Sequence, residues 1–270
     1  MKNNDVMCNT VHKSNSMIQN GRFDLSLQEQ KIMLYIISQI SPQDIDFELL
    51  EFSIPEFCKA CGIDCDNGKN YADLKKAVKH IRDKSWWIVL PDGRHTTVSW
   101  IEKPYINPKS GTISIKLDDD LKPYLLQLQA NYTQYDLIYT LSFQSKYAIR
   151  LYEYIRSIHY NDLQTYTYPR EISLDELRDY LGVNEYDNDG NIISQKYTTW
   201  QHFRDRALTP AIAEINTYSD KTITYTTSKQ GQKVTGITIT VKTKSINERN
   251  KADKRIKERR SKKGRIKNAS

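Results

Sequence analysis

Asn70-Tyr-Ala-Asp-Leu-Lys-Lys-Ala-Val-Lys-His-Ile-Arg-Asp-Lys84, followed at once by Trp86-Trp-Ile-Val-Leu-Pro-Asp-Gly-Arg-His-Thr-Thr-Val-Ser-Trp100, reads as a helix running into a hairpin. At about 100° per residue, Tyr71, Leu74, Val78 and Ile81 make one apolar stripe, and Lys75, Lys76, Lys79 and His80 lie on the other side. Two β-rich runs then flank Pro91-Asp-Gly-Arg94, whose residues favour a tight turn. Working backwards, Asp64–Lys69 is a polar loop. Ser53-Ile-Pro-Glu56 is a capping box with proline in the first turn, opening a short helix that stops at Gly62. Leu49–Phe52 is strand-like. Ser26-Leu-Gln-Glu29 is another capping box, opening a helix through Ile32, Ile36 and Ile40 that ends at Ser41-Pro42. Working forwards, Thr112–Leu117 alternates as a strand and leads into the acidic helix start Asp118-Asp-Asp-Leu121. Helix, strand, short helix, basic helix and hairpin is the order of a winged helix.

That order recurs downstream. Ser145–Ile158 is helical, with Tyr147, Leu151, Tyr154, Ile155 and Ile158 on one face. Tyr166-Thr-Tyr168 is strand-like, and Ser173-Leu-Asp-Glu176 is a third capping box whose helix ends at Leu181-Gly182. After a polar loop comes a longer helix, Thr199–Thr217, buried through Trp200, Phe203, Ala207, Ala211, Ile212 and Ile215. The runs Thr222–Thr227 and Val234–Val241 flank Ser228-Lys-Gln-Gly-Gln-Lys233, which has hairpin-tip composition. The expected fold is α+β: two tandem winged-helix domains. Their expected bounds are 21–130 and 131–245, after a flexible N-terminal arm over 1–20 and before a basic C-terminal tail over 246–270.

Charge points to the partner. The 270 residues carry 40 Lys+Arg against 33 Asp+Glu, a formal net charge of +7. Lys242 to Lys267 holds 13 of the basic and 3 of the acidic residues, leaving a nearly neutral body. A neutral body with one cationic end favours a polyanion. The longest apolar run, Ile32–Ile37, is far short of the roughly 20 residues that cross a bilayer. Met1–Cys8 lacks the apolar core of a signal peptide. Four cysteines do not make a disulfide scaffold, so a reducing cytoplasm is expected. No Gly-rich phosphate loop is present.

A winged helix binds DNA by laying its longer helix in the major groove, about 12 Å wide, while the hairpin touches backbone or minor groove. Donors on the outer face must then meet base edges and phosphates. In the first domain the candidates are Lys69, Lys75, Lys76, Lys79 and Arg82, with Arg94 at the hairpin tip. In the second they are Lys196, Thr198, Thr199, His202, Arg204 and Arg206, with Lys229 and Lys233 at the tip. His202 falls opposite the Phe203–Ala207–Ala211 stripe, Arg206 on its polar flank, and Arg204 nearer the buried side. In the tail, Lys254, Arg255, Arg259 and Arg260, within a run that includes Lys251 and Lys257, are expected to add affinity through phosphates without reading sequence.

Other patterns carry less. Cys58-x2-Cys61-x3-Cys65 lacks a nearby fourth metal ligand. Glu185-x-Asp187-x-Asp189-Gly190 has Lys196 where a calcium loop needs its bidentate glutamate. No metal or cofactor is expected, and no catalytic residue is assigned. The five histidines form no His-x-His pair, so the metal site of a rolling-circle nicking enzyme is not visible. A tyrosine-dependent nicking initiator and a plain transcriptional repressor stay open as alternatives.

Three stretches are similar to the plasmid replication initiators of the RepB/RepE type: Leu141-Ser-Phe-Gln-Ser-Lys-Tyr-Ala-Ile-Arg-Leu-Tyr-Glu-Tyr154, Tyr197-x2-Trp-x2-Phe203-Arg-Asp-Arg-Ala-Leu-x-Pro-Ala-Ile-Ala-Glu-Ile-Asn216, and Asn20-x2-Phe-Asp-Leu-Ser-Leu-Gln-Glu-Gln-Lys-Ile32. The likeness runs from about residue 10 to 245. It implies two winged-helix domains that bind direct repeats (iterons) of duplex DNA at a plasmid origin. Monomers of such proteins help to melt the origin and recruit the host initiator and replicative helicase, and dimers often repress the initiator's own promoter. The resemblance makes the helix from Thr199 the main iteron reader, with Arg204 and Arg206 on its Phe-Arg-Asp-Arg motif. It gives the first domain further DNA contacts and the dimer surface. Asp205 departs from a commonly more basic stretch, which puts the part played by Arg204 in question.

Overall fold

The computed structural model describes residues 9–21, 23–61, 68–89, 94–158, 165–167, 171–186 and 192–266. They form two compact units, Met1–Leu141 and Ser142–Ser270. The boundary expected at 130/131 therefore falls eleven residues later. The cause is a strand pairing that local periodicity does not reveal. Strand β1 (Thr10–Ser14) lies antiparallel to β7 (Tyr132–Asp136), with Thr10 opposite Asp136 and Ser14 opposite Tyr132.

The same pairing removes most of the expected flexible arm. Val11 and Lys13 alternate inward along β1. Ser14 then caps helix α1 (Asn15–Asn20) by accepting from the Met17 amide at 3.2 Å. Helix α2 (Leu27–Ile37) opens on the expected box: Ser26 Oγ accepts from the Glu29 amide, and Glu29 Oε2 accepts from the Ser26 amide at 2.8 Å. Strand β2 (Leu50–Ser53), helix α3 (Ile54–Cys61), helix α4 (Gly68–Asp83) and the hairpin β3 (Ser85–Val89) and β4 (His95–Ser99) follow in the expected order. Strands β5 (Tyr105–Asn107) and β6 (Thr112–Ile115) complete a sheet of order β2-β6-β5. A 3-10 turn at Asp119–Leu121, helix α5 (Lys122–Leu125), β7 and helix α6 (Leu137–Ser142) close the unit. Its core holds two aromatic clusters. Phe23, Trp86 and Trp100 meet with ring centroids 4.2–5.7 Å apart, and Tyr35, Phe52 and Phe57 meet at 5.4 Å. Cys58 is disulfide-bonded, which the low cysteine count did not announce, and Cys61 is a buried thiol.

The second unit starts with α7 (Lys146–Ile158), β8 (Thr165–Thr167), β9 (Ile172–Ser173) and α8 (Leu174–Leu181), the last opened by the complete Ser173–Glu176 box. The polar loop expected next contains a hairpin, β10 (Asn184–Tyr186) with β11 (Ile192–Gln195). The long helix is not uniform. It comprises α9 (Trp200–Phe203), a π-helical turn at Arg204–Leu208, and α10 (Thr209–Tyr218). Strands β12 (Lys221–Gln230) and β13 (Lys233–Thr243) form the long hairpin, and β8 and β9 both pair with β13. Gly236 permits the β9 approach, since a Cβ there would sit 2.6 Å from the Ile172 carbonyl oxygen. The presumed tail is helix α11 (Ile246–Ile266). Ala252 and Ile256 bury one face of it, and it packs against α10. No helix among the described residues is long and apolar enough to cross a membrane.

Candidate nucleic-acid interface

In the second unit the helix from Trp200 to Tyr218 is anchored at its start and exposed on one side. Thr199 caps it, its hydroxyl accepting from the His202 amide at 3.2 Å. Phe203, Ala207, Leu208, Ala211 and Ile215 are buried, whereas Gln201, His202, Asp205, Arg206 and Thr209 are exposed. The π turn, in which the Thr209 amide reaches back to the Arg204 carbonyl, inserts about one residue into the helical count. Leu208 is inside, whereas Ile212 and Trp200 are only half-buried. His202 and Arg206 face outward as the sequence places them. Arg204 is also in solvent, its side chain 41% exposed, and its Nε donates to Asp205 Oδ1 at 2.7 Å, which raises the guanidinium pKa and holds the Asp205 carboxyl below its ordinary value. As an exposed pair this is worth little, and it leaves the Arg204 guanidinium open to exchange for another anion.

The hairpin tip stands ready beside this helix in the same unit. Gly231, at φ +61°, turns the chain between β12 and β13, and Lys229 and Lys233 flank it, both exposed. Lys196 is exposed but pairs with Glu185 at 3.1 Å. Thr198 has an exposed side chain, while its carbonyl is occupied by Arg178.

In the first unit α4 shows the expected division. Leu74, Ala77, Val78 and Ile81 are buried, and Lys75, Lys76, Lys79 and Arg82 are exposed. Lys79 pairs with Asp83, Lys76 approaches Asp73 at 4.0 Å, and Lys75 sits 5.1 Å over the Tyr71 ring. These are exposed pairs, worth little and readily exchanged for phosphate. His80 instead turns towards α2, its Nδ1 3.4 Å from the buried Glu29 carboxylate. Arg94 is exposed next to β4, and the Lys69 side chain lies outside the described residues.

Helix α11 splits its cations. Lys251, Lys254, Arg255 and Lys257 are exposed, and Arg260 is half-buried. Arg259 turns inward: it donates to the Ser142 carbonyl at 3.0 Å and to Glu214 Oε1, and it stacks 4.3 Å over Tyr218. Its guanidinium is therefore engaged within the unit, unlike the exposed cations of the same helix. The acid that captures it, Glu214, also accepts from the Gln144 and Ser145 amides at 2.7 and 2.9 Å, capping the approach to α7. Sequence reasoning missed Glu214 and the buried Arg178. The second had a signal: Arg178 falls within the apolar Leu174–Leu177–Leu181 stripe of α8, where a guanidinium needs a reason.

Matches to known proteins follow the same architecture. The family description "Initiator Replication protein, WH1" fits residues 10–156 and "Initiator Rep protein, WH2" fits residues 173–241. The chain belongs to the initiator replication protein family. Its two winged-helix domains are those of the family, and the WH1 match begins where β1 does. Among curated relatives of this initiator family member, an Escherichia coli replication initiation protein is 24% identical over 215 residues, covering 78% of this chain and 63% of that one. The Escherichia coli PI protein is 32% identical over 142 residues, covering 51% and 45%. The chain thus spans less than two thirds of the length of either relative. In fold, the initiator is similar to the Pi initiator protein crystallised in complex with iteron DNA. The TM-score is 0.73 at 21% identity, over 88% of this chain and 99% of that one.

Proposed function

We propose that this chain is a plasmid replication initiator that binds directly repeated origin DNA (iterons) sequence-specifically. The observation that carries this is the outward row Gln201–His202–Arg206 on a capped helix beside a lysine-tipped wing, in a chain of the initiator family. The mechanism is binding energy rather than bond-making. The helix reads base edges, the wing and α4 add phosphate contacts, and several bound copies drive the opening of deformable origin DNA. Repression of its own promoter as a dimer, and recruitment of the host initiator and helicase, belong to the same reading. Its place of action is the bacterial cytoplasm.

A gel-shift series with the noncoding DNA beside the coding region tests this. Tandem repeats of about two helical turns should be bound in a ladder of discrete steps. A covalent tyrosyl–DNA adduct formed with supercoiled plasmid and magnesium would instead make the chain a nicking enzyme. A single palindromic site, bound without repeats, would make it a plain repressor.

Two substitutions sort the contacts. Arg206→Ala should weaken specific binding by about 1–3 kcal/mol, as loss of a base-edge contact does. An equal loss on unrelated DNA would reduce Arg206 to a phosphate contact. Replacing Lys251, Lys254 and Lys257 together by glutamine leaves the buried face of α11 intact. If these lysines meet phosphates, the slope of log affinity against log salt should shrink by about 0.9 for each. An unchanged slope would remove α11 from the interface.

A further inference from the structure

We propose that Arg178 is a positioning residue that sets where the reading helix begins, and so governs sequence selectivity without touching DNA. This rests on the DNA-reading function proposed above. In a simple helix-turn-helix the two helices are joined by a turn of about three or four residues, which fixes their mutual geometry. Here the connection runs from Gly182 to Thr199 and includes the β10–β11 hairpin. A connection of that length cannot aim a helix by itself.

Core packing seats the helix, and Arg178 adds a directed constraint at its start. It is 7% exposed, and its Nη2 donates to the Thr198 carbonyl at 2.9 Å, immediately before the Thr199 cap. Its guanidinium lies 5.5 Å over the ring of Phe203, the first fully buried residue of the reading helix. One fork thereby grips the helix by the backbone before its first turn and by a side chain within it. Tyr197, next to the gripped carbonyl, is held at φ +58° with its ring edge-on to Tyr147 of α7. That left-handed conformation persists in a non-glycine residue only where surroundings over-determine it. Helix α8 is itself tied to α7 by another buried arginine, Arg150, whose Nε donates to the Tyr180 carbonyl at 2.8 Å. The aim of the reading helix is thus passed from α7 to α8 through Arg150, and from α8 onward through Arg178.

Stability alone does not call for this choice. A buried guanidinium is costly to desolvate, and an apolar side chain of similar volume on the α8 stripe is often as stabilising or more so. Asp175, which accepts from Nη1 at 3.3 Å, is exposed and offsets little of that cost. What an apolar side chain cannot provide is a directed bond to one carbonyl.

The test uses the full chain and the duplex that the wild type enriches most from a randomised pool, with a scrambled duplex as control. R178M and R178K should fold, and both should lose at least about tenfold in affinity for the selected duplex. Lysine keeps the charge but not the planar fork. Affinity for the scrambled duplex and the salt slope should stay as in the wild type. Retained selectivity, equal loss on both duplexes, or a shallower salt slope would each overturn the proposal, the last by making Arg178 a phosphate ligand. If R178M does not fold, R178K decides by the same readouts, and failure of both to fold would make Arg178 a structural requirement and overturn it too. A wild type that enriches no sequence would refute the iteron-binding function instead.

Discussion

Asp220→Ala is expected to cost the C-terminal unit about 3–5 kcal/mol, the loss typical of removing one partner from a buried charge cluster. Asp220 lies between α10 and β12 and is an acid facing a set of enclosed cations. Its Oδ1 accepts from the Tyr152 hydroxyl at 2.6 Å, and its Oδ2 pairs with Arg156 at 3.0 Å. Lys221, fully buried, places its ammonium 3.7 Å from the same oxygen and donates to Thr243 Oγ1. The buried Lys244 ammonium donates to the Asn216 and Ser219 carbonyls, and burial lowers its pKa although Asp220 pulls the other way. Without the carboxylate, Lys221 and Arg156 keep their desolvation cost and lose one of the charges that offset it. Asp220→Asn should fall between, since an amide oxygen can still accept from Tyr152. Native-state amide exchange of β13 would measure the loss, and a change under about 1 kcal/mol would mean that water or rearrangement neutralises the site.

The sequence exposes whatever depends on neighbours a few residues apart. Ser26 and Ser173 announce their helices because a capping box closes within three residues. Leu74, Val78 and Ile81 announce the inner face of α4 because the helical period is local, which leaves Lys75, Lys76 and Lys79 outside. His202 and Arg206 fall on the exposed face for the same reason.

What stayed hidden depends on distant partners. The polar run Thr10–Ser14 becomes a strand only because Tyr132–Asp136 lies beside it. The basic run at 246–266 looks like a tail until Ala252 and Ile256 meet α10, and nothing in a chain of like charges singles out Arg259 as the one that turns inward towards Glu214. The buried face of the second long helix also differs from the expected one, with Leu208 buried and Ile212 only half-buried. Asp205 shows a subtler case, in which an adjacent acid pairs with a cation at the surface.

Phe203→Ala should be the most damaging single change to the reading helix, because it acts on the core and on the aim of the helix together. The ring is fully buried, with Trp200 6.3 Å away and the Arg178 guanidinium over its face. Truncation leaves a cavity under the first turn and should cost about 3–5 kcal/mol. For a domain stabilised by roughly 5–15 kcal/mol that is a large share. It also removes the surface on which Arg178 rests, so the start of the helix loses one of its two grips while His202 and Arg206 remain chemically intact. Well below the melting temperature, binding to repeat DNA should therefore fall further than in Phe203→Leu, which keeps most of the apolar volume and should cost less than about 1.5 kcal/mol. Urea unfolding and fluorescence anisotropy on the same two variants separate the effects. Equal binding by the folded alanine and leucine variants would mean that Phe203 serves the core alone and that the helix is aimed entirely through the Thr198 carbonyl.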